Sequence, residues 1–371
     1  MKIALALFKY FPHGGLQRDF MRITLELLKR GHEVTLFTTS FDGVIPEKLQ
    51  VVFLETKSFT NHGKAAEFEK LFAVAAAGYD VKFGFNRIGG LDFYFAADNC
   101  IMSEALTVYP EWFLKLSPRH RSILRQEKNV LAPESATRIL YIAEKQKKDY
   151  QKFYGTPEER FFYLPPGLNE ACFRGKDAEI RRNRKRQEYN IGDDEILLIL
   201  VGSFFEGKGA DRLLRAVAAL EGELQKKCRI AIIGNMPRKK CLKLCRSLDI
   251  DSGNLIMPGA SGEVPDWLLA ADLMVHPARK EATGTVIVEA LAAGLPVIAS
   301  SECGFANFAA ESGGCALKLP FDQQELNRKL REFLQPEKLA ELKESAVLYG
   351  SKADFCRRAS VAADLLEQFH D

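Results

Sequence analysis

The chain has 371 residues, 47% of them hydrophobic and 27% charged, with a formal net charge of +3. That length accommodates about two domains of roughly 150 residues each, with ample core in each. The small net charge leaves no electrostatic footprint for nucleic acid, so no nucleic-acid partner is expected, and no stretch approaches the roughly 20 apolar residues of a membrane span.

In chain order, KIALALF is a first buried strand. Lys9 interrupts the apolar run too early for a signal peptide, and no small-residue cleavage site follows. FPHGGLQ is a glycine loop, RDFMRITLELLKRG a helix and HEVTLFTT the next strand. The same order recurs far downstream: EILLILV, the glycine loop GSFFEGKG, the helix ADRLLRAVAAL and the strand CRIAIIG. Strand, glycine loop, helix, strand opens a doubly wound parallel sheet. The fold class expected is therefore α/β, with two Rossmann-like doubly wound domains facing an interdomain cleft. Pro165, Pro166 and Gly167 mark the linker. The expected borders are residues 1–166 for the N-terminal domain and 167–351 for the C-terminal one. A final helix in 352–371 packs back on the first. Ligands of such sheets bind beyond the carboxyl ends of the strands, so His13, Gly14 and Gly15 would face the second domain's loops. With no export signal, the eight cysteines are expected as free thiols of a reducing cytoplasm. Cys241 and Cys245 have no second ligand pair for zinc.

Between the two repeats lie several candidates. Asp98 ends the apolar run FYFAADNC; a sugar hydroxyl and a helix cap are both open to it. Asp19, just after Gly14 and Gly15, is open to the same two roles. In residues 109–129, Trp112 and Phe113 stand beside Lys115, Arg119, Arg121 and Arg125. Aromatics among cations suit an anionic membrane surface; an ordinary amphipathic helix pair is the alternative. The run RRNRKR at 181–186 reads as a solvated charged face.

Gly202 to Lys208 matches G-x4-G-K between a strand and a helix, as in a phosphate-binding loop. Gly209 stands where such a loop needs Ser or Thr, so the Mg²⁺ ligand is missing and an NTPase is not expected. Lys208 remains a cation beside a helix N-terminus, suited to phosphate; an unliganded turn lysine is the alternative. Asp249 and Asp251 form a D-x-D, which reads as a turn.

The densest signal is Glu281-Ala-Thr-Gly-Thr-Val-Ile-Val-Glu289, set between LMVHPA and LPVIAS. Glu281 lies on a strand-to-helix loop and Glu289 one turn into the helix. Ala282, Thr283, Gly284 and Thr285 open that helix, where unpaired amides and the dipole favour an anion. Amides for phosphate and carboxylates for hydroxyls suit a diphosphate flanked by sugars. A capping glutamate plus a solvated one is the plain alternative.

The E-x7-E loop and the two glycine loops resemble glycosyltransferase family 4, enzymes of the GT-B fold. KYFPHGGLQRDFMRI, SFTNHG, GFNRIGGLDFYFAAD, LPPG and HPARKEATGTVIVEALAAGLPV narrow the resemblance to the subgroup that builds the lipopolysaccharide core. The resemblance implies a metal-independent, retaining hexosyltransferase without cofactor. It would move a sugar from a UDP-sugar donor to a heptose of the lipopolysaccharide inner core. It would work in the cytoplasm, on the anionic inner face of the inner membrane. Glu281 and the following amides would hold the donor sugar, Glu289 the ribose, and Lys208 with the Gly15 amide the pyrophosphate. Asp98 would touch the transferred sugar. Many family members carry an arginine at the position of Ser203, and the close subgroup one at the position of Gly207. Both are absent here, so Arg174 is the expected second phosphate cation. A nucleotide-sugar epimerase of the same shape and a two-lobed sugar-binding protein are the competing readings.

Overall fold

The computed structural model describes residues 1–12 and 14–369; His13 and the last two residues of the expected C-terminal helix lie outside the described residues. The chain forms two compact units, Met1–Gly167 with Arg357–Asp371, and Leu168–Cys356. The borders expected after 166 and 351 fall after 167 and 356. The second lies later because Phe355 is buried in the core of the C-terminal unit, where its carbonyl accepts the Leu168 amide at 2.7 Å.

The N-terminal unit is built on β1 (Lys2–Ala6), β3 (Glu33–Thr38), β5 (Gln50–Phe53), β6 (Val81–Gly84), β7 (Phe93–Ala96), β8 (Arg138–Tyr141) and β9 (Phe161–Tyr163). They form one seven-stranded sheet in the order β5-β3-β1-β6-β7-β8-β9, every pair parallel. Two short strands, β2 (Lys9–Tyr10) and β4 (Ser40–Phe41), continue beyond β1 and β3 as a separate pair. A parallel sheet is covered on both faces, which is why its central strands read as continuous apolar runs. On one face Phe20, Ile23 and Leu27 of α1 (Gly15–Lys29) meet Leu5 and Phe83. On the other, Phe68 and Phe72 of α2 (Asn61–Ala75) meet Ala4 and Tyr94. α3 (Ile101–Leu106), α4 (Glu111–Leu116), α5 (Pro118–Leu131) and α6 (Glu144–Tyr154) complete that layer.

The C-terminal unit holds β10 (Ile196–Val201), β11 (Cys228–Ile233), β12 (Leu255–Gly259), β13 (Leu273–His276), β14 (Val297–Ser300) and β15 (Cys315–Leu317). Its order is β12-β11-β10-β13-β14-β15, again all parallel. Counted along the sheet this is 3-2-1-4-5-6, the doubly wound order in which ligands bind where the winding reverses. That point lies between β10 and β13. Cys241 and Cys245 are fully buried in the apolar core, and all eight cysteines are free thiols.

The chain returns to the first unit through the helix Arg358–Gln368, which lays Ala362, Ala363 and Leu366 into the core beside α1. Here Asp19 departs from expectation. Its carboxylate accepts from Arg358 at 2.6 Å, and Arg358 also donates to the Pro165 carbonyl at 2.9 Å. Asp19 thus anchors the returning helix and is not free for a ligand.

The basic run also departs from expectation. It lies in α7 (Ala178–Glu188), and Arg182, Lys185 and Arg186 turn inward while Arg184 stays exposed. Arg182 donates to the carbonyls of Leu269, Ala270 and Ala271 and to Asp272. Arg186, 4% exposed, reaches Asp272 at 3.1 Å and the carbonyls of Gly192 and Glu195. Lys185, 1% exposed, pairs with Glu188 and Glu263 over the Trp267 ring. These cations satisfy the open carbonyls at the end of the helix Val264–Ala270 and the carboxylate that follows it.

Asp272 is the hub, since Lys343 also reaches it at 2.7 Å. Burial opposes its charge, but Arg182 and Lys343 outweigh burial and hold its carboxyl below the usual aspartate range. A depressed carboxyl stabilises fully above about pH 4 and loses that contribution as pH falls through its folded value. Asp272→Ala strands a buried Arg186 and is expected to destabilise the C-terminal unit by about 3–5 kcal/mol. Urea unfolding followed by tryptophan fluorescence, which senses Trp267, measures this; an unchanged midpoint would show that the cations are solvated after all.

Candidate active site

Two loops leave adjacent strands at the reversal point of the C-terminal sheet. The first, after β10, runs from Gly202 into α8 (Phe205–Lys208), a single helical turn. The second, after β13, runs from Pro277 to Gly284 and enters the helix Thr285–Ala292. Their backbones are tied together: the amides of Arg279 and Lys280 donate to the Gly207 carbonyl at 2.8 and 3.2 Å. The Arg279 guanidinium forks onto Asp211 at 2.6 and 2.8 Å and onto the Glu206 carbonyl at 2.9 Å.

Gly209 explains why this is no NTPase loop. It ends α8 at φ +73° and opens α9 (Ala210–Ala218). A Cβ there would lie 2.1 Å from the Pro277 carbonyl oxygen. No serine or threonine fits, and the chain coils into α8 where a phosphate cradle would be open. Gly207 is crowded by a side chain instead, since a Cβ would sit 2.1 Å from the exposed Phe204 ring. The arginine expected of the close subgroup has no room while Phe204 stands there.

This framing brings Lys208 onto Glu281, with the ammonium donating to the carboxylate. His276, fully buried at the end of β13, faces the same oxygen at 3.3 Å, and its Nδ1 has no partner among the described residues. Burial opposes the charge on Glu281, but the His276 hydrogen bond and the Lys208 charge outweigh it and bring its pKa down to about 2. The carboxylate therefore stays ionised at any working pH. Beyond it, the Ala282 and Thr283 carbonyls accept the Gly304 and Phe305 amides at 3.2 and 2.8 Å, fixing the loop to the segment after β14. The Thr283 and Thr285 hydroxyls stand 3.4 Å apart. Gly284 at φ +74° caps the helix without a side chain over its first amides. Glu289 lies half-buried one turn in. Buried Cys303 lies beside the pair; burial, then the charge of Glu281, pushes its thiol far up and keeps it unreactive.

Glu281, Ala282, Thr283, Gly284, Thr285, Glu289 and Lys208 are thus gathered at one helix end. Arg174 is not. Its amide bonds the Ala292 carbonyl at 2.9 Å, and its guanidinium goes to Glu179 and the Ala293 carbonyl. It stands at the far end of that eight-residue helix, roughly 12 Å away by helical rise. It cannot be the second phosphate cation. Ser203 accepts the Asn235 amide at 3.2 Å and only anchors the neighbouring loop. Asp249 and Asp251 form a turn in which Asp251 accepts the Gly253 amide at 2.9 Å. In the N-terminal unit, Gly15 is the first residue of α1. Asp98 lies exposed past the end of β7, where its carbonyl receives Gln146 and Tyr150. His276, Arg279 and Asp211 escaped the sequence reading; the histidine closing LMVH was the one available signal.

Two doubly wound units, with a carboxylate–lysine pair and a helix N-terminus at the reversal point of the second, define a GT-B glycosyltransferase. Residues 181–348 match the family model "Glycosyl transferases group 1". The chain is 35% identical to the lipopolysaccharide glucosyltransferase WaaG of Escherichia coli K12, over 99% of this chain and 98% of that protein. It therefore belongs to the WaaG family of glycosyltransferases. The crystal structure of WaaG superposes with a TM-score of 0.86, covering 98% of this chain and 99% of that one. Anabaena HepE in complex with UDP-glucose shares the fold at 15% identity, with a TM-score of 0.73 over 99% of this chain and the whole of that one.

The Gly209 geometry separates a phosphate loop from a helix-capping glycine. Gly209→Ser, which completes the apparent G-x4-G-K-S motif, is expected to lower stability by about 1–3 kcal/mol and to reduce transfer activity. A stable, fully active Gly209→Ser enzyme, judged by melting temperature and kcat, would refute this account.

Proposed function

We propose that this hexosyltransferase moves a sugar from a UDP-sugar to a heptose of the lipopolysaccharide inner core, with retention and without a metal. The observation that carries the reading is the Lys208–Glu281–His276 arrangement at the start of the helix Thr285–Ala292, in a chain alike to WaaG over its whole length. The donor's sugar hydroxyls donate to Glu281, and Glu289 accepts from the ribose. The pyrophosphate takes Lys208 and the helix-end amides. In the N-terminal unit the α1 amide at Gly15 is assigned to an anion and Asp98 to a sugar hydroxyl.

In the reaction, the bond from the sugar's anomeric carbon to the β-phosphate oxygen breaks, and its electron pair stays on phosphate. The acceptor hydroxyl oxygen bonds to the same face, and its proton passes to the departing phosphate. No carboxylate is required as nucleophile. Metal independence is supported by Gly209, which bears no hydroxyl, and by the D-x-D, which is folded into a turn.

One assay tests this: UDP-glucose with heptose-terminated lipopolysaccharide, in EDTA. Transfer should persist, and NMR should show an α-linkage from the α-linked donor; rescue by Mn²⁺ or a β-linked product would overturn the corresponding half. Lys208→Ala should lower turnover roughly 10²-fold, as losses of charge stabilisers do. Glu289→Ala should raise the donor KM with turnover kept, because the ribose is bound alike throughout.

A lipid-anchored acceptor calls for a membrane-facing surface, and residues 109–125 supply it. Trp112 is 64% exposed, with Leu116, Lys115, Arg119, Arg121 and Arg125 exposed around it. Phe113 is partly tucked away, stacked on Tyr109 at 5.0 Å. Beneath the α4–α5 hairpin lies a cavity of about 700 Å³, floored by Met102 and Leu114 and rimmed by Arg121, Arg125 and Lys128. Each cation near an anionic surface contributes about 1 kcal/mol. Binding to vesicles should rise with anionic lipid, fall with salt, and weaken when Lys115, Arg119 and Arg121 become Gln. Undiminished binding of that triple variant would assign docking to another surface.

A further inference from the structure

The N-terminal sheet has its own reversal point, between β1 and β6, and the donor chemistry leaves it unused. A cavity of about 170 Å³ lies there, walled by Phe8 just past β1, Asn86 and Arg87 just past β6, and Gln126 of α5. Two of these polar groups are engaged. Asn86 accepts the Phe8 amide at 2.6 Å, and Arg87 pairs with Glu127 at 3.1 Å while donating to the Asn99 carbonyl. Gln126 is different: it is 6% exposed, and its buried amide nitrogen has no partner among the described residues. A buried donor left unmet costs free energy unless a ligand or water meets it.

A second cavity of about 400 Å³ shares Phe8 with the first and is lined by Lys9, Ser40, Glu55, Thr56 and Lys64. Among the described residues neither lysine has a carboxylate partner; Lys9 only overhangs the Phe8 ring, 5.9 Å from its centroid. Lys64 lies in the first turn of α2, where the helix dipole adds positive charge. Glu55, Ser40 and Thr56 offer oxygens to hydroxyl groups.

We propose that these adjoining cavities are the acceptor site for an acidic saccharide. Its carboxylate or phosphate lies between Lys9 and Lys64, and an oxygen of the adjoining sugar accepts from the Gln126 amide. This rests on the reading of the acceptor as a lipopolysaccharide inner-core saccharide, and adds from the two lysines that the bound saccharide is acidic.

The test uses the full chain and the oligosaccharide released from heptose-terminated lipopolysaccharide, titrated by calorimetry. Lys9→Gln and Lys64→Gln should each raise the oligosaccharide Kd about tenfold, as loss of a charge-assisted contact does. Lys→Arg should restore most of the affinity, and Gln126→Leu should also weaken binding. The melting temperature and circular dichroism, measured alongside, report that each variant is folded. Repeating the titration with phosphate-stripped oligosaccharide identifies the acid: lysine dependence lost means phosphate, lysine dependence kept means carboxylate. No binding by the wild-type chain, or an unchanged Kd in the double lysine variant, overturns the site. Transfer to lipopolysaccharide is scored separately in the wild type and in the lysine variants. Lysine-dependent binding without transfer would refute the function and leave the site standing; transfer indifferent to the lysines would do the reverse.

Discussion

The Lys208–Glu281 ion pair depends on two backbone loops meeting at one place, and much of the C-terminal unit serves that meeting. β10 and β13 are neighbours in the sheet although far apart in the chain, so their outgoing loops must pack against each other. At Gly209 the contact is too close for a side chain. Gly207 presents its carbonyl to two amides of the other loop, and Gly209 lies against the Pro277 carbonyl. Arg279 and Asp211 lock the arrangement with a bidentate pair. A lysine and a glutamate held this way need little reorganisation when a ligand's charge arrives, which is the condition for strong electrostatic stabilisation.

The same pair explains how two half-buried charges are held at low cost. An unpaired half-buried lysine or glutamate would be penalised by desolvation. Each instead neutralises the other, and His276 supports the carboxylate from the fully buried side. Under the proposed donor reading, an entering diphosphate would compete with Glu281 for Lys208, and sugar hydroxyls would compensate the carboxylate. Charge is exchanged among partners and never left alone.

What could be read before the structure was the part written in short-range pattern. Apolar runs, glycine loops and helix periodicity are local signals, and they placed both sheets and the residues from Glu281 to Glu289. What could not be read was pairing across long separations. Asp19 meets Arg358, and Arg182 and Arg186 meet Asp272; composition alone makes such residues look like ligand-binding or solvated charges. Arg174 looked close to the site because the linker precedes the second unit, yet the chain delivers it to the wrong end of the helix. His276 was hidden for the opposite reason: a histidine ending an apolar strand reads as core, and here it is both core and partner to a functional carboxylate.

The route of the chain has one more consequence, for the gene. The N-terminal unit takes its last structural piece from beyond the C-terminal unit: Ala362, Ala363 and Leu366 fill its core, and Arg358 holds Asp19. A premature stop just ahead of the last helix would leave every residue of the C-terminal unit intact. The damage would fall on the half translated first, which would emerge from the ribosome with an uncovered apolar face on α1 and nothing left to cover it.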